Sequence, residues 1–470
     1  MGFEKGIIVD AQVRSRREFL ARTGSLGVAL LAGGFASGCS GFTGGTGGNG
    51  DGSANGKSTG VDFFARGDQA IWKVFRQLRT EFVKRNPDTK VNIEQVPGDF
   101  YQKFQLKLAS GTPPDSLFEC SCTITSSIRA GAVEPLDNLI KNDKRFKKDD
   151  FLPTAWDTSE YEGKTYGLPY DGGSMAIYCN LDLFERAGLE PPDPKQPMTW
   201  DQVLDFGRQL TLDRNGKHPG EAGFDPKRIK QYGFDPSAGG VPWPWVWANE
   251  GEVITKDRKV PLDEPEAVEG LQFVADLGAK HSIAPSPAYQ QSGQISFLTG
   301  NVAMAYDGVW SSVRYRGAKF DWDVVPFPIG RKKVSTGWYS PLSITAKASD
   351  EDKEAAWKWI SFCTSADGQK IVSSLGQSVP SLRTLAEGAV FLDPKTKPVS
   401  KQVFLDELNP EYLRTPGDLT GKHYGGYVVE WGNVFTPAWD SVLNGKRTAA
   451  VAMKEVRPKL ERLLATGKTS

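Results

Sequence analysis

From residue 61 onward, apolar positions fall into short alternating runs and helical-period stripes, and their order predicts an α/β chain. Val61-Asp62-Phe63-Phe64 reads as a first strand, with Arg66-Gly67-Asp68 as the loop after it. Ile71, Val74, Phe75, Leu78 and Phe82 recur at helical spacing and predict an amphipathic helix ending near Asn86-Pro87. Val91 and Ile93 alternate with polar neighbours as in a second strand. Tyr101 to Leu108 reads as a helix stopped by Gly111 and the Pro113-Pro114 pair, and Ser116-Leu117-Phe118 as a third strand. This rhythm of strand, helix, strand, helix, strand implies a mostly parallel sheet.

A second unit starts after "YEGKTYGLPYDGGSMAIYCN". Met175 to Tyr178 is apolar enough for a strand, and Leu181 to Ala187 is a short helix with Gly188 as its stop. Thr199-Trp200-Asp201-Gln202 has the form of a capping box, in which threonine and glutamine satisfy each other's backbone donors. Further helices are expected over Glu266 to Leu277, Asp352 to Ser361 and Thr448 to Leu464. In "GGVPWPWVWANEG", prolines between Trp243, Trp245 and Trp247 argue for a loop, because proline is excluded from helix interiors.

The chain before residue 61 follows another rule. Arg14, Arg16, Arg17 and Arg22 precede a small, apolar run from Ser25 to Phe35, too short to cross a bilayer, which needs about 20 apolar residues. This is the layout of a signal peptide. Ser15-Arg16-Arg17-Glu18-Phe19-Leu20 resembles the twin-arginine export signal, and Ala36-Ser37-Gly38-Cys39 resembles a bacterial lipobox, with Ala36 where leucine is usual. Residues 1–38 are thus expected to be a signal peptide, and Cys39 to be lipidated. Residues 40–60 hold nine glycines in twenty-one positions and form with Cys39 an expected tether, with a reach of about 25 Å.

Composition then removes alternatives. The chain has 57 basic and 57 acidic residues; the leader holds five and three of them, which leaves 52 against 54, a net −2. No basic footprint for nucleic acid and no second apolar span is present. About 430 residues after the leader are too many for one ordinary core, so two domains are expected. Cys120, Cys122, Cys179 and Cys363 lack the spacing of zinc sites, and His218, His281 and His423 are scattered, so neither metal nor cofactor is expected. Outside the cytoplasm, Cys120 or Cys122 could pair with Cys363, with buried free thiols as the alternative.

"GKTYGLPYDGGSMAIYCNLDLFERAGLEPP", "FLTGNVAMAYDGVWSS" and "SITAKASDEDKEAAWKWISFCTSADGQ" resemble, in order, the extracellular solute-binding proteins of bacterial ABC importers, in the sugar- and maltodextrin-binding branch. The resemblance runs from about Val61 to the C-terminus. It implies a two-lobed periplasmic-binding-protein (Venus-flytrap) fold with crossing hinge strands, the crossings lying near Pro169–Gly172, Gly337–Ser340 and Leu382–Glu387. The lobes would be 61–170 with 338–384, and 171–337 with 385–470.

It further implies a monomeric, membrane-anchored receptor that captures a carbohydrate and hands it to a permease and ATPase. Sugars present hydroxyl rings and flat C–H patches, which carboxylates, arginine forks and aromatic faces match. Position by position, Asp68 follows the first strand. Glu119 stands where the maltodextrin branch stacks a ring, which argues against maltodextrin itself. Tyr170 and Asp171 lie on the first crossing, Asp307 and Trp310 on a ring-presenting loop, and Trp338 and Tyr339 on the second crossing. Trp243 and Trp245 add aromatic candidates, and Trp431 and Arg414 are further ones. Rival readings are a glycerol phosphodiester gripped by Arg66 or Arg414, a polyamine held by the acidic residues, and an exported glycoside hydrolase, which needs two carboxylates across a cleft.

Overall fold

The computed structural model describes residues 59–98, 100–121, 123–236, 242–291, 296–415 and 427–469. The leader, Cys39 and nearly all of the tether lie outside them. The first strand, β1 (Thr59–Arg66), begins two residues inside the expected tether. It is followed by α1 (Gln69–Arg85), β2 (Thr89–Val96), α2 (Phe100–Ala109) and β3 (Ser116–Phe118). β1 pairs in parallel with both β2 and β3, as the alternation required. The stripe on α1 buries Trp72, Val74, Phe75, Leu78 and Phe82, each worth about 1.5–3 kcal/mol by area removed from water.

The next strand, β4, runs unbroken from Leu168 to Asn180, so the expected first crossing and the expected Met175–Tyr178 strand are one element. α3 (Leu181–Ala187) ends at Gly188, whose φ of 67° is the left-handed conformation a helix stop needs. α4 (Trp200–Leu210) opens with the Thr199–Gln202 capping box. β5 (Ile229–Asp235), α5 (Trp243–Ala248), α6 (Pro265–Ala279), β6 (Val302–Gly308), β7 (Trp322–Val325) and β8 (Ser335–Ile344) follow. Helices α7 (Asp350–Thr364), α8 (Ala366–Ser373), α9 (Val428–Leu443) and α10 (Ala449–Thr466) complete the elements that concern the site.

The sheet order is β2-β1-β3-β8-β4-β6-β5. Its centre is the pair β8 and β4, which are antiparallel, with Gly337 opposite Ser174 and Leu342 opposite Leu168. β4 changes partner along its length. Its first half pairs with β8, and from Met175 onward it pairs with β6 and β7. Long strands shared by two halves of a sheet are what a pair of lobes joined by crossing strands requires. A third segment, Val379–Pro380, pairs with Gly172 and Asp171. It lies just before the expected Leu382–Glu387 position, where Arg383–Ala386 instead forms a helical turn.

The tryptophan-rich segment is a correction. α5 is a helix, because Pro242 and Pro244 sit at its start, where no intrahelical hydrogen bond is lost. Trp243, Trp245 and Trp247 are buried, with Trp245 packed 4.8 Å from the Phe327 ring and 5.7 Å from Trp200. Gly270 on α6 makes this possible, since a Cβ there would lie 2.6 Å from the Trp245 carbonyl oxygen. The rings are core rather than loop aromatics. Cys179 and Cys363 are free and buried while Cys120 is disulfide-bonded, which excludes a bond to Cys363. Among the described residues no helix is long and apolar enough to cross a membrane, and no cluster of potential metal ligands occurs.

Candidate functional site

In open α/β sheets, ligands bind beyond the carboxyl ends of the strands, where strand order switches. β1 ends at Arg66 and β3 ends before Glu119 on that edge, and the crossing strands β4 and β8 pass beside them. A cavity of about 330 Å³ opens there, lined by Arg66, Asp68, Asp171, Trp310, Trp338 and Ser340 among others. Larger cavities lie away from the crossing strands and are not bordered by both halves of the sheet.

One wall is aromatic. Trp310 and Trp338 have ring centroids 5.1 Å apart at 44°, and both are half-buried. The Trp310 indole rests on two strand glycines. A Cβ on Gly173 would lie 2.8 Å from it, and one on Gly308 would lie 2.2 Å from it. Glycine inside a strand commonly marks such a close approach. Gly172, one position earlier, gives the same clearance to Tyr339, whose ring a Cβ would meet at 2.3 Å.

The other wall is polar. An Arg66 Nη donates to Ser340 Oγ at 2.7 Å, and the guanidinium lies 4.5 Å over the Phe118 ring. Asp171 is opposite Ser340 in the strand register and takes hydrogen bonds from it. Burial lowers the Arg66 pKa and raises that of Asp171, while attraction between the two works against both shifts. Arg66 Nε and Asp171 Oδ1 are enclosed within this wall without a hydrogen-bond partner. Arg314 completes the rim and is held by Asp307 Oδ2 at 3.3 Å and Ser311 Oγ at 3.2 Å.

Strand alternation sorts the expected site residues, because neighbours on a strand face opposite ways. Asp171 and Trp338 line the cavity. Tyr170 and Tyr339 are buried behind it, Tyr170 stacked 5.1 Å from Phe75 at 15°. Asp68 lines it too while capping α1, its Oδ1 accepting from the Ala70 and Ile71 amides at 2.9 and 3.1 Å. Trp310 lines it. Asp307 does not, since its oxygens are committed to Tyr315 at 2.6 Å, Arg314 and the Gly308 amide.

Glu119 is buried beneath the wall, where Oε1 accepts from Ser127 Oγ at 2.6 Å; burial raises its pKa to about 7 against that hydrogen bond. Trp243 and Trp245 are in the core, far from this role. Arg414 forms a two-pronged pair with Glu252 at 2.8 and 2.9 Å above Trp247, and Trp431 is buried. Ile71, Gln377, Ser378, Ser340 and Arg314 were not singled out from the sequence. The Gly172-Gly173 pair within a strand pattern was the available signal for the close approach beside them.

The model for bacterial extracellular solute-binding proteins matches residues 65–370. The chain belongs to that family. A maltotriose-binding protein of Pyrococcus abyssi is 26% identical over 338 residues, covering 69% of this chain and 66% of the relative. A glycerol-3-phosphate-binding periplasmic protein of Shigella dysenteriae is 24% identical over 57% of this chain and 61% of its own length. The matches therefore span slightly less than two thirds of these curated relatives. An ABC substrate-binding protein from Listeria monocytogenes, solved with cycloalternan, superposes with a TM-score of 0.76 at 25% identity, covering 87% of this chain and all of that one. The two-lobed fold of this family accounts for the shared crossing strands.

Proposed function

We propose that this chain is the extracytoplasmic receptor of an ABC importer, which captures a carbohydrate in the crossing-strand cleft and releases it unchanged to a membrane permease. The observation that carries this reading is the Trp310–Trp338 pair on its glycine floor, lining one cavity with the polar side chains of Arg66 and Asp171. A sugar ring offers a C–H face to one wall and hydroxyls to the other. The charges of the lining support a neutral ligand, since Arg66 and Arg314 stand against Asp68 and Asp171. The relatives named for maltotriose and solved with cycloalternan support the same class.

The lobes are 61–170 with 338–384 and 171–337 with 385–470, hinged where β4 changes partner. A ligand meets one lobe first and the other on closure, and only contacts added in the closed state shift the population toward it. The closed form is what the permease and its ATPase would read. The twin-arginine leader and a lipidated Cys39 would export the chain and hold a monomer at the membrane within reach of the importer.

The two cleft arginines, with the glycerol-phosphate-binding relative, support one alternative ligand class, a glycerol phosphodiester. Melting of the purified full chain against maltotriose, monosaccharides, sn-glycerol 3-phosphate and spermidine separates these. A ligand at 100 times its Kd adds about 2.7 kcal/mol to the folded state. A shift with a sugar that is recovered uncut is expected. A shift with the phosphate alone would discard carbohydrate, and a cleaved sugar would discard the receptor.

A further inference from the structure

The carboxamide of Gln369 on α8 is fully enclosed beneath the polar wall, and both of its ends are used. Nε2 donates to the Tyr170 carbonyl at 2.6 Å, while Oε1 accepts from the Ser381 amide at 2.9 Å and from its hydroxyl at 3.2 Å. In the antiparallel register Val379 faces Gly172 and Pro380 faces Asp171, so Ser381 continues the register opposite Tyr170. The side-chain amide therefore sits between an N–H and a C=O that would otherwise pair in the ladder. On the far side of the same two segments, Asp171, Gln377 and Ser378 line the cleft.

We propose that Gln369 is a positioning residue for ligand binding: its amide, inserted between the first crossing and the Val379–Ser381 segment, sets their spacing and so the placement of Asp171 and Ser378. It touches no ligand and acts through the two segments it joins. The inference rests on the reading of this cleft as the ligand site. The geometry also gives the hinge a fixed end. Tyr170 is tied to the first lobe by Gln369, and the Tyr339 carbonyl is tied by the buried Thr158 hydroxyl at 2.6 Å. Bending of β4 then falls beyond Tyr170, toward the change of partner at Met175.

Two variants of the full chain test this. Gln369→Leu keeps the bulk and removes every hydrogen bond of the carboxamide, to Tyr170, to Ser381 and to the Cys363 carbonyl at 3.5 Å. Gln369→Glu keeps the acceptor toward Ser381, and donates to the Tyr170 carbonyl only while the introduced carboxyl is protonated. The residues whose carbonyls Gln369 meets, Tyr170 and Cys363, carry titratable groups that burial pushes up and keeps neutral across the range used, and Asp171, next to Tyr170, is common to every variant. Asp367 and Lys370 on the same helix point to solvent.

Amide hydrogen exchange is measured over residues 168–174 and 378–382, with titration by maltotriose and by sn-glycerol 3-phosphate, at pH 5 and pH 8. Gln369→Leu is expected to exchange about tenfold faster in both segments and to bind about tenfold more weakly at both pH values. Gln369→Glu should come close to the unsubstituted chain at pH 5 and lose protection and affinity toward pH 8 as its donor to the Tyr170 carbonyl ionises, while Gln369→Leu keeps one ratio to the parent at both pH values. Unchanged exchange in the leucine variant, or a glutamate variant with the same ratio to the parent at both pH values, overturns the clamp. Faster exchange with unaltered affinity overturns the positioning role. If the leucine variant does not fold, the pH comparison of the glutamate variant decides alone. A parent chain that binds neither probe refutes the ligand class proposed above, and the clamp is then judged by exchange.

Discussion

Glu407 offers the sharpest test of the packing behind the cleft. It follows the helical turn Gln402–Asp406, whose Phe404 carbonyl accepts from Ser174 Oγ on β4 at 2.6 Å. The carboxyl is 1% exposed, and neither oxygen has a well-formed hydrogen bond, the nearby Phe327 backbone giving only slight relief. Burial raises its pKa from 4.5 to about 8, with Lys333 opposing the shift and Asp406 adding to it. The folded state therefore binds a proton the unfolded state has released. Stability is fully present below pH 4.5, falls through the interval between 4.5 and about 8, and stays low above it. At 1.36 kcal/mol per pH unit, that interval corresponds to about 5 kcal/mol.

Glu407→Gln removes the ionisation and keeps the shape. The variant should match the parent at pH 5 to within about 1 kcal/mol, and exceed it at pH 9 by about 4 kcal/mol. Urea unfolding of both proteins at the two pH values gives the double difference, in which every other titrating group, Glu119 included, cancels. A double difference below about 1 kcal/mol would refute the argument, because it would mean that the carboxylate is solvated or paired when charged.

Other outcomes follow from the same geometry. Trp310→Ala should weaken ligand binding by at least about tenfold with little change in melting. Trp245→Ala should do the reverse, losing about 3–5 kcal/mol of stability while titration of the folded fraction gives an unaltered Kd. Gly173→Ala drives a methyl to 2.8 Å from the Trp310 ring, so Kd should rise severalfold with intrinsic tryptophan emission shifted before any ligand is added. Unchanged emission would mean the floor yields freely. Cys39→Ser, expressed in a bacterium with the lipoprotein pathway, should move the chain from the detergent phase to the soluble fraction; retention in the detergent phase would refute anchoring at that residue.

The alternating elements from Thr59 to Phe118 were legible because local rules govern them: the stripe on α1 and its stop at Asn86 needed no tertiary information. The Thr199 capping box and the Gly188 helix stop were equally plain. Within the candidate site, Asp68, Asp171, Trp310 and Trp338 were found from family position. Tyr170 and Tyr339 were named beside them because position along a strand was known and the facing side was not. Reading the tryptophans of α5 as loop aromatics failed on a single point of register, namely that proline in the first turn of a helix loses nothing.

By itself, then, the chain's pattern determined the order of strands and helices, the absence of a nucleic-acid charge footprint and the resemblance to a receptor family. These depend on spacing between neighbours in sequence. Which ring faces the cleft and which the core, where β4 exchanges one partner for another, and that Gln369 lies between Tyr170 and Ser381 were decided only by the tertiary structure. Those contacts join residues 12 to more than 200 positions apart. They follow from pairing register and close packing, in which a glycine of one strand makes room for a ring carried by another.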